Sequence, residues 1–276
     1  MIRASAPATT ANMGAGFDCA GAALDLWNEL RVTEAGARPP REDLVARAFA
    51  CFASPEGREF TVSGDIPRER GLGSSASVVA LGLVAGAIAA RVDPEPERLL
   101  AAGVHLEGHP DNLAAALAGG VCLTWDGRIA RIADDVPATP IVVVPETRVR
   151  TAESRGALPE RIPHADAAFS VARSALLGAA VVAGSPELFA AALADRLHEP
   201  YRSELLGEIR ADLPPGALGA TLSGSGPSIL VWARPEAGKE CRSSLAGRFA
   251  SARVLELSVS PKGAYGQEAE GSGADV

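Results

Sequence analysis

Four short stretches of this sequence collect residue types that could do chemistry. The first is Pro67-Arg68-Glu69-Arg70-Gly71-Leu72-Gly73-Ser74-Ser75-Ala76, directly before an apolar run. Gly71 and Gly73 let a backbone turn sharply and approach a ligand closely. Ser74 and Ser75 fall where a helix would begin. Free N–H groups and the positive end of the helix dipole point outward there, which suits a phosphate. A serine hydroxyl at that place can also ligate the Mg²⁺ that accompanies a nucleotide. The same residues would serve equally as an ordinary serine N-cap on a packed helix. The loop holds no lysine, so it is not the G-K-[ST] phosphate loop, and the H-R-D and D-F-G signatures of protein kinases are absent. A nucleotide bound here would be held by a third kind of loop.

The second stretch places Glu107, His109, Asp111 and Asn112 close together. Acidic groups near one another in sequence can ligate Mg²⁺, and an aspartate can accept a hydroxyl proton. The plainer alternative is that Asp111 or Asn112 caps a helix at Leu113 while His109 packs beside Pro110. His105, His164 and His198 have no metal-type spacing, which argues against a zinc site. The third stretch, Leu222-Ser-Gly-Ser-Gly-Pro-Ser, is a tight loop before an apolar strand. The fourth, Asn12-Met-Gly-Ala-Gly-Phe-Asp18, is again glycine-rich and ends in a carboxylate.

The elements that must position these residues follow from local patterning. Residues 22–32 and 59–63 read as strands, and 36–47 as a surface loop leading into a helix. Residues 67–73 read as a turn-rich loop and 74–91 as a long apolar helix; Pro94 and Pro96 open another helix over 95–106. A short helix at 113–117 and a strand at 121–125 come next. The Ile-Val-Val-Val run between Pro140 and Pro145 has the signature of a buried strand. The second half reads as helices at 165–183, 186–197, 203–211 and 238–250, with strands at 229–233 and 253–259. The tail from Gly263 reads as frayed. The alternation indicates a mixed α/β or α+β protein, with a domain boundary near residue 140.

The whole-chain numbers narrow the classes. A chain of 276 residues, 47% hydrophobic, can bury a sizeable core as one large or two intimate domains. With aromatics at 4%, Ala, Val and Leu must fill it. Net charge −8 and a pI of about 5.1 argue against nucleic acid as partner. Such an acidic body needs local positive potential to hold an anionic nucleotide. Cys19, Cys51, Cys122 and Cys241 are scattered without C-x-x-C spacing and read as buried small hydrophobes. The first residues lack the apolar core of a signal peptide, and the apolar run at 76–90 is too short for a bilayer. A soluble, cytoplasmic protein without a membrane partner is expected.

Together the four stretches resemble the GHMP kinase superfamily and, within it, its homoserine kinase branch. PATTANMGAGFDCAGAALDLWNE is similar to the amino-terminal signature, PRERGLGSSAS to the nucleotide loop, and SGSGPS to the third superfamily motif. EGHPDN followed by A-x-x-x-G-G marks the branch, and the order along the chain is right. The resemblance implies a two-domain α+β fold: a ribosomal-protein-like nucleotide-binding domain over 1–140 and a ferredoxin-like domain over 141–276. It implies ATP over residues 67–76, with Ser75 and Glu107 as Mg²⁺ ligands. It implies that Asp18, with Asn12 beside it, holds the amino group of L-homoserine, and that Arg173 and Arg202 hold its carboxylate. Asp111 falls where some relatives have a catalytic aspartate, next to His109 and Asn112; the branch could also work without a base. A homodimer is what the family suggests. A mevalonate-type kinase and a non-catalytic ligand sensor on the same fold are the competing readings.

Overall fold

The computed structural model describes residues 1–34, 43–149 and 151–268. The chain opens with two long antiparallel strands, β1 (Ile2–Asn12) and β2 (Gly16–Glu34). Next come helix α1 (Leu44–Phe49), strand β3 (Arg58–Gly64), and helices α2 (Ser74–Ala89), α3 (Pro96–Glu107) and α4 (Pro110–Ala118). Strands β4 (Val121–Trp125), β5 (Arg128–Ala133) and β6 (Thr139–Val144) lead to α5 (Thr151–Gly156), α6 (His164–Ala183), α7 (Pro186–Ala192) and α8 (Glu204–Ala211). Strands β7 (Ala217–Leu222) and β8 (Ile229–Ala233), helix α9 (Gly238–Arg248) and strands β9 (Arg253–Glu256) and β10 (Tyr265–Glu268) complete the order.

The strands form two antiparallel sheets. The first runs β10-β1-β2-β4-β5, with β3 pairing β2; the second runs β7-β8-β6-β9. The fold is α+β with two sheet-based units. The chain crosses from one sheet to the other at β6, next to the expected boundary at 140, but β10 returns to pair with β1. The tail expected to fray from Gly263 is therefore a strand over Tyr265–Glu268, and the remainder of the tail lies outside the described residues. So does most of the loop expected over 36–47.

Several elements escaped the sequence patterning for physical reasons. β1 does not alternate polar and apolar: from Ala8 to Asn12 every residue is buried, because helices cover one side and the second unit the other. Pro7 sits at a register shift against Trp27, a place where a missing N–H is tolerated. Helix α7 stops at Ala192 rather than near 197. The Asp195 carboxylate draws in the N–H groups of Leu197, His198 and Glu199 and turns the chain.

Three cores hold this together. One lies between the first sheet and α1–α4, one between the second sheet and α8–α9, and the third is shared between the units. Leu72 of the glycine loop at 67–73 is buried in that shared core with Met13, Leu24, Phe189 and Trp232. Its burial is worth about 1.5–3 kcal/mol and ties the loop to both sheets. By length and composition α6 could cross a membrane, but Leu177, Ala180 and Val181 on it belong to the same core.

Candidate active site

A cleft of about 310 Å³ gathers parts of all four sequence stretches. Its floor begins at α2. The N-cap of α2 is Gly73 (φ +64°), not a serine, and a glycine has no side chain to occupy the first-turn N–H groups. The plain serine-cap alternative is thus set aside: Ser74 and Ser75 are free to line the cleft. A Cβ on Gly73 would run into Thr9 Oγ1, so only glycine fits this left-handed turn. Helix α4 starts at the same cleft with His109 as its N-cap, again without a side-chain bond to the first turn. Two helix N-termini therefore give this acidic protein its local positive potential.

The remaining loops are cross-tied. Ser223 Oγ lies 2.6 Å from Gly71 O and 3.0 Å from Thr10 Oγ1. Gly224 N–H donates to Ala11 O, and Asn12 Nδ2 donates to Gly224 O at 3.1 Å. Asn12 Oδ1 in turn accepts from the Asp18 N–H at 3.0 Å, which sets the direction of the Asp18 carboxylate. Asn12, Met13, Asp18 and Glu69 take positive φ without being glycine, a strain that concentrates at this cleft.

The charged groups fall into two sets. On one side Ser75 Oγ donates to Glu107 Oε2 at 2.8 Å. Burial pushes the Glu107 carboxyl up to about 7, against the Ser75 hydrogen bond that lowers it, and Asp111 raises it further. Asp111 is buried too and raised to about 6, first by burial and partly by Asp18. Its Oδ1 accepts the Asn112 N–H at 2.7 Å, while Thr9 Oγ1 donates to Asn112 Oδ1 at 2.7 Å. On the other side Asp18 pairs with Arg155 at 2.5 Å, and Arg202 lines the same wall. Both guanidinium groups lie over the Phe17 ring, at 5.6 and 5.2 Å from its centroid.

The sequence-derived residues distribute as follows. Asn12, Asp18, Glu69, Arg70, Gly71, Gly73, Ser74, Ser75, Glu107, His109, Asp111, Asn112 and Arg202 line the cleft. Arg68 lines an adjoining apolar pocket with Leu44, Val45, Phe60, Val62 and Val78, and the two cavities meet at Glu69, Ser74 and Ser75. Pro67, Leu72 and Ala76 line neither; Leu72 and Ala76 are core. Arg173 is not among the lining residues. Its guanidinium stacks on Phe169 at 3.8 Å, with Arg196 at 4.0 Å from the same ring. The arginine that does stand beside Arg202 is Arg155, from six-residue α5, which carries no periodicity a sequence pass could seize.

The family model described as GHMP kinases N terminal domain matches residues 43–120. A homoserine kinase of Prochlorococcus marinus (strain MIT 9312) is 40% identical over 273 residues, covering 87% of this chain and 86% of its own length. The chain belongs to the homoserine kinase family. A second member, from Clavibacter michiganensis subsp. michiganensis (strain NCPPB 382), is 39% identical over 259 residues and covers 83% of this chain and 82% of itself. The solved homoserine kinase from Cytophaga hutchinsonii shares the fold at a TM-score of 0.83 and 25% identity, over 96% of this chain and 97% of that one. As a homoserine kinase family member the chain is an ATP-dependent small-molecule kinase, and its α+β two-unit architecture is that of the GHMP kinases.

Proposed function

We propose that this protein transfers the γ-phosphoryl group of ATP to the side-chain hydroxyl of L-homoserine, giving O-phospho-L-homoserine for threonine biosynthesis. The observation that carries the substrate choice is the grouping of Asp18, Arg155 and Arg202 in one cleft with Ser75 and Glu107. An amino acid presents an ammonium and a carboxylate, and this grouping offers one carboxylate and two guanidinium groups. A mevalonate-type substrate has no ammonium for Asp18.

In this reading the adenine takes the apolar pocket walled by Leu44, Val45, Phe60, Val62 and Val78. The triphosphate then crosses Ser74 and Ser75, where the two cavities meet, toward the N–H groups of α2. Ser75 and Glu107 fit a Mg²⁺ ion. Glu107 is a half-buried carboxylate raised to about 7 by burial, with a hydroxyl but no cationic side chain among the described residues beside it, which a bound cation would correct. Among the described residues no group of three or more His, Cys, Asp or Glu could hold a metal, and Mg²⁺ commonly takes one carboxylate and completes its shell with phosphate oxygens and water. Bound there, Mg²⁺ would neutralise charge on the transferred phosphate.

The chain's own residues do the rest by position and charge. Arg155 and Arg202 hold the substrate carboxylate, a bidentate task for which the guanidinium fork is suited. Asp18 holds the ammonium. Asn112, its carbonyl oxygen engaged by Thr9, turns its amide N–H toward the hydroxyl. Asp111, ionised near neutral pH with its carboxyl at about 6, takes the hydroxyl proton as the new O–P bond forms and the bond to ADP breaks. His109 lines the cleft beside them and orients the hydroxyl. The enzyme is proposed to be soluble and cytoplasmic; its four free cysteines support a reducing compartment.

ADP release measured over a panel of hydroxylated amino acids, with mevalonate and sugars alongside, tests the assignment. Homoserine should give the highest kcat/KM. Turnover of a non-amino-acid alcohol at an equal or higher kcat/KM would overturn it.

A further inference from the structure

In contact with Arg202 lies a buried polar cluster that no step of the reaction above uses. His198 is completely buried, and both of its ring nitrogens are engaged. Nε2 lies 2.8 Å from the carbonyl oxygen of Gly14. Nδ1 lies 3.3 Å from Arg202 Nη1. A carbonyl oxygen only accepts, so Nε2 must carry a hydrogen. A guanidinium only donates, so Nδ1 must present a lone pair. The two contacts are satisfied together by one species, the neutral imidazole protonated at Nε2.

We propose that His198 is a positioning residue for the substrate: its Nδ1 lone pair holds the Arg202 guanidinium in the orientation that receives the substrate carboxylate. The proposal rests on the reading of Arg202 as a carboxylate-binding group. The rest of the geometry supports it. Among the described residues no carboxylate pairs with Arg202; Nε donates to Ser154 O at 3.2 Å, and Nη1 meets His198. The imidazole in turn is clamped. It stacks on Phe17 with ring centroids 4.9 Å apart, and Phe17 is the ring over which Arg155 and Arg202 both lie. One ring stack thus fixes the histidine and both guanidinium groups relative to Asp18, the next residue.

The charged groups facing His198 come from three places: Asp195 from the turn after α7, Arg202, and Asp18 from the start of β2. Asp195 lies 3.6 Å from Nε2, yet it accepts the N–H groups of Leu197, His198 and Glu199 and the Ser170 hydroxyl, so its charge is largely spent on the turn. Burial holds the His198 imidazolium below its usual range, with Asp195 opposing and Arg202 assisting. A protonated ring would point Nδ1–H at Nη1–H, two donors and two like charges in contact, and would push Arg202 out of place.

Two measurements test this. In the wild-type protein labelled with 15N-histidine, His198 should show a protonated Nε2 and an unprotonated Nδ1 at pH 7. An Nδ1–H tautomer or an imidazolium overturns the proposal, and no variant needs to fold for that result. Second, His198→Gln keeps a donor near Gly14 O but supplies no acceptor at the Nδ1 position, whereas His198→Asn places an amide oxygen there. The KM for homoserine should rise about tenfold or more in His198→Gln and recover at least in part in His198→Asn, with the KM for ATP unchanged in both. A folded His198→Gln with the wild-type homoserine KM, or one in which both KM values rise together, overturns it. Arg202→Ala separates this from the underlying reading. If Arg202→Ala raises the homoserine KM and His198→Gln does not, only the positioning role fails. If Arg202→Ala itself leaves the homoserine KM unchanged, the carboxylate assignment fails with it.

Discussion

Arg155 and Arg173 are rival candidates for the carboxylate-binding role beside Arg202, and the rivalry gives a sharp test. Arg173→Ala and Arg155→Ala remove the same group from two places: a stack on Phe169 and the wall of the cleft. Truncating one partner of a buried, hydrogen-bonded charge pair costs about 2–5 kcal/mol. Arg155 and Asp18 are 32% and 35% exposed, so solvent screens them and the lower end applies. About 2 kcal/mol is roughly a 30-fold loss in kcat/KM for homoserine at ~1.4 kcal/mol per tenfold. Arg173 has only its stacking to lose, about 0.5–1 kcal/mol of stability. That is a drop in Tm of roughly 1–4 °C with little change in kinetics. The assay is steady-state ADP release with homoserine and with homoserine amide, which lacks the carboxylate. Wild type should prefer the acid, and Arg155→Ala should lose most of that preference while its KM for ATP stays within about threefold (a ratio worth under ~0.7 kcal/mol). Should Arg173→Ala lose the acid preference while Arg155→Ala retains it, the cleft assignment is wrong and the sequence-based choice of Arg173 is restored.

Other perturbations reach the remaining groups. Glu107→Gln should lower kcat/KM for Mg²⁺·ATP at least about tenfold, ~1.4 kcal/mol, and unchanged kinetics across a magnesium titration would remove Glu107 from the site. In the metal-free protein the same variant should gain stability. A carboxyl raised from 4.5 to about 7 imposes no penalty below pH 4.5 and a growing one as pH rises to 7, so the gain in Tm should be present at pH 8 and shrink toward pH 5; a gain independent of pH would contradict that cause. Gly73→Val should abolish ATP binding, because its Cβ meets Thr9 at a φ of +64°; equilibrium nucleotide titration of the folded variant checks it, and wild-type affinity would refute it. Wild-type kcat should fall as pH drops through about 6, where Asp111 takes up its proton. Asp111→Asn should flatten that limb and cut kcat by about 10²–10⁴; a variant within threefold of wild type would leave Asp111 with no part in proton transfer.

How much of this was legible beforehand depended on where the chemistry sat relative to local pattern. Residues 67–76 and 107–112 announce themselves because turn glycines, a serine pair and clustered carboxylates stand next to strong apolar helices. The second sheet showed in its Ile-Val-Val-Val strand for the same reason. Arg155 did not, since nothing in Thr-Ala-Glu-Ser-Arg-Gly distinguishes a short helix over a cleft from any polar loop. Arg173 follows Phe169 on a long helix, a setting that suits a substrate contact and a stack on the ring equally, so only its variant's kinetics separate the two. β1 was hidden by its small residues. Gly73 packs directly on Thr9, a close approach visible only once both are placed.

The return of β10 to β1 sets a condition on how the protein can be made. Ser5 pairs with Tyr265, 260 positions later in the chain (265 − 5 = 260). At roughly 5–20 residues per second, a ribosome needs on the order of 10–50 s to supply that partner. During that interval the nascent first sheet shows a bare edge along Ile2–Ser5, open to strand pairing with a neighbouring nascent chain. Ribosomes crowded on one message would hold many such edges at the same stage. Slower translation lengthens the exposure, so the yield of soluble protein should depend on elongation speed well after helices α2–α4 have emerged.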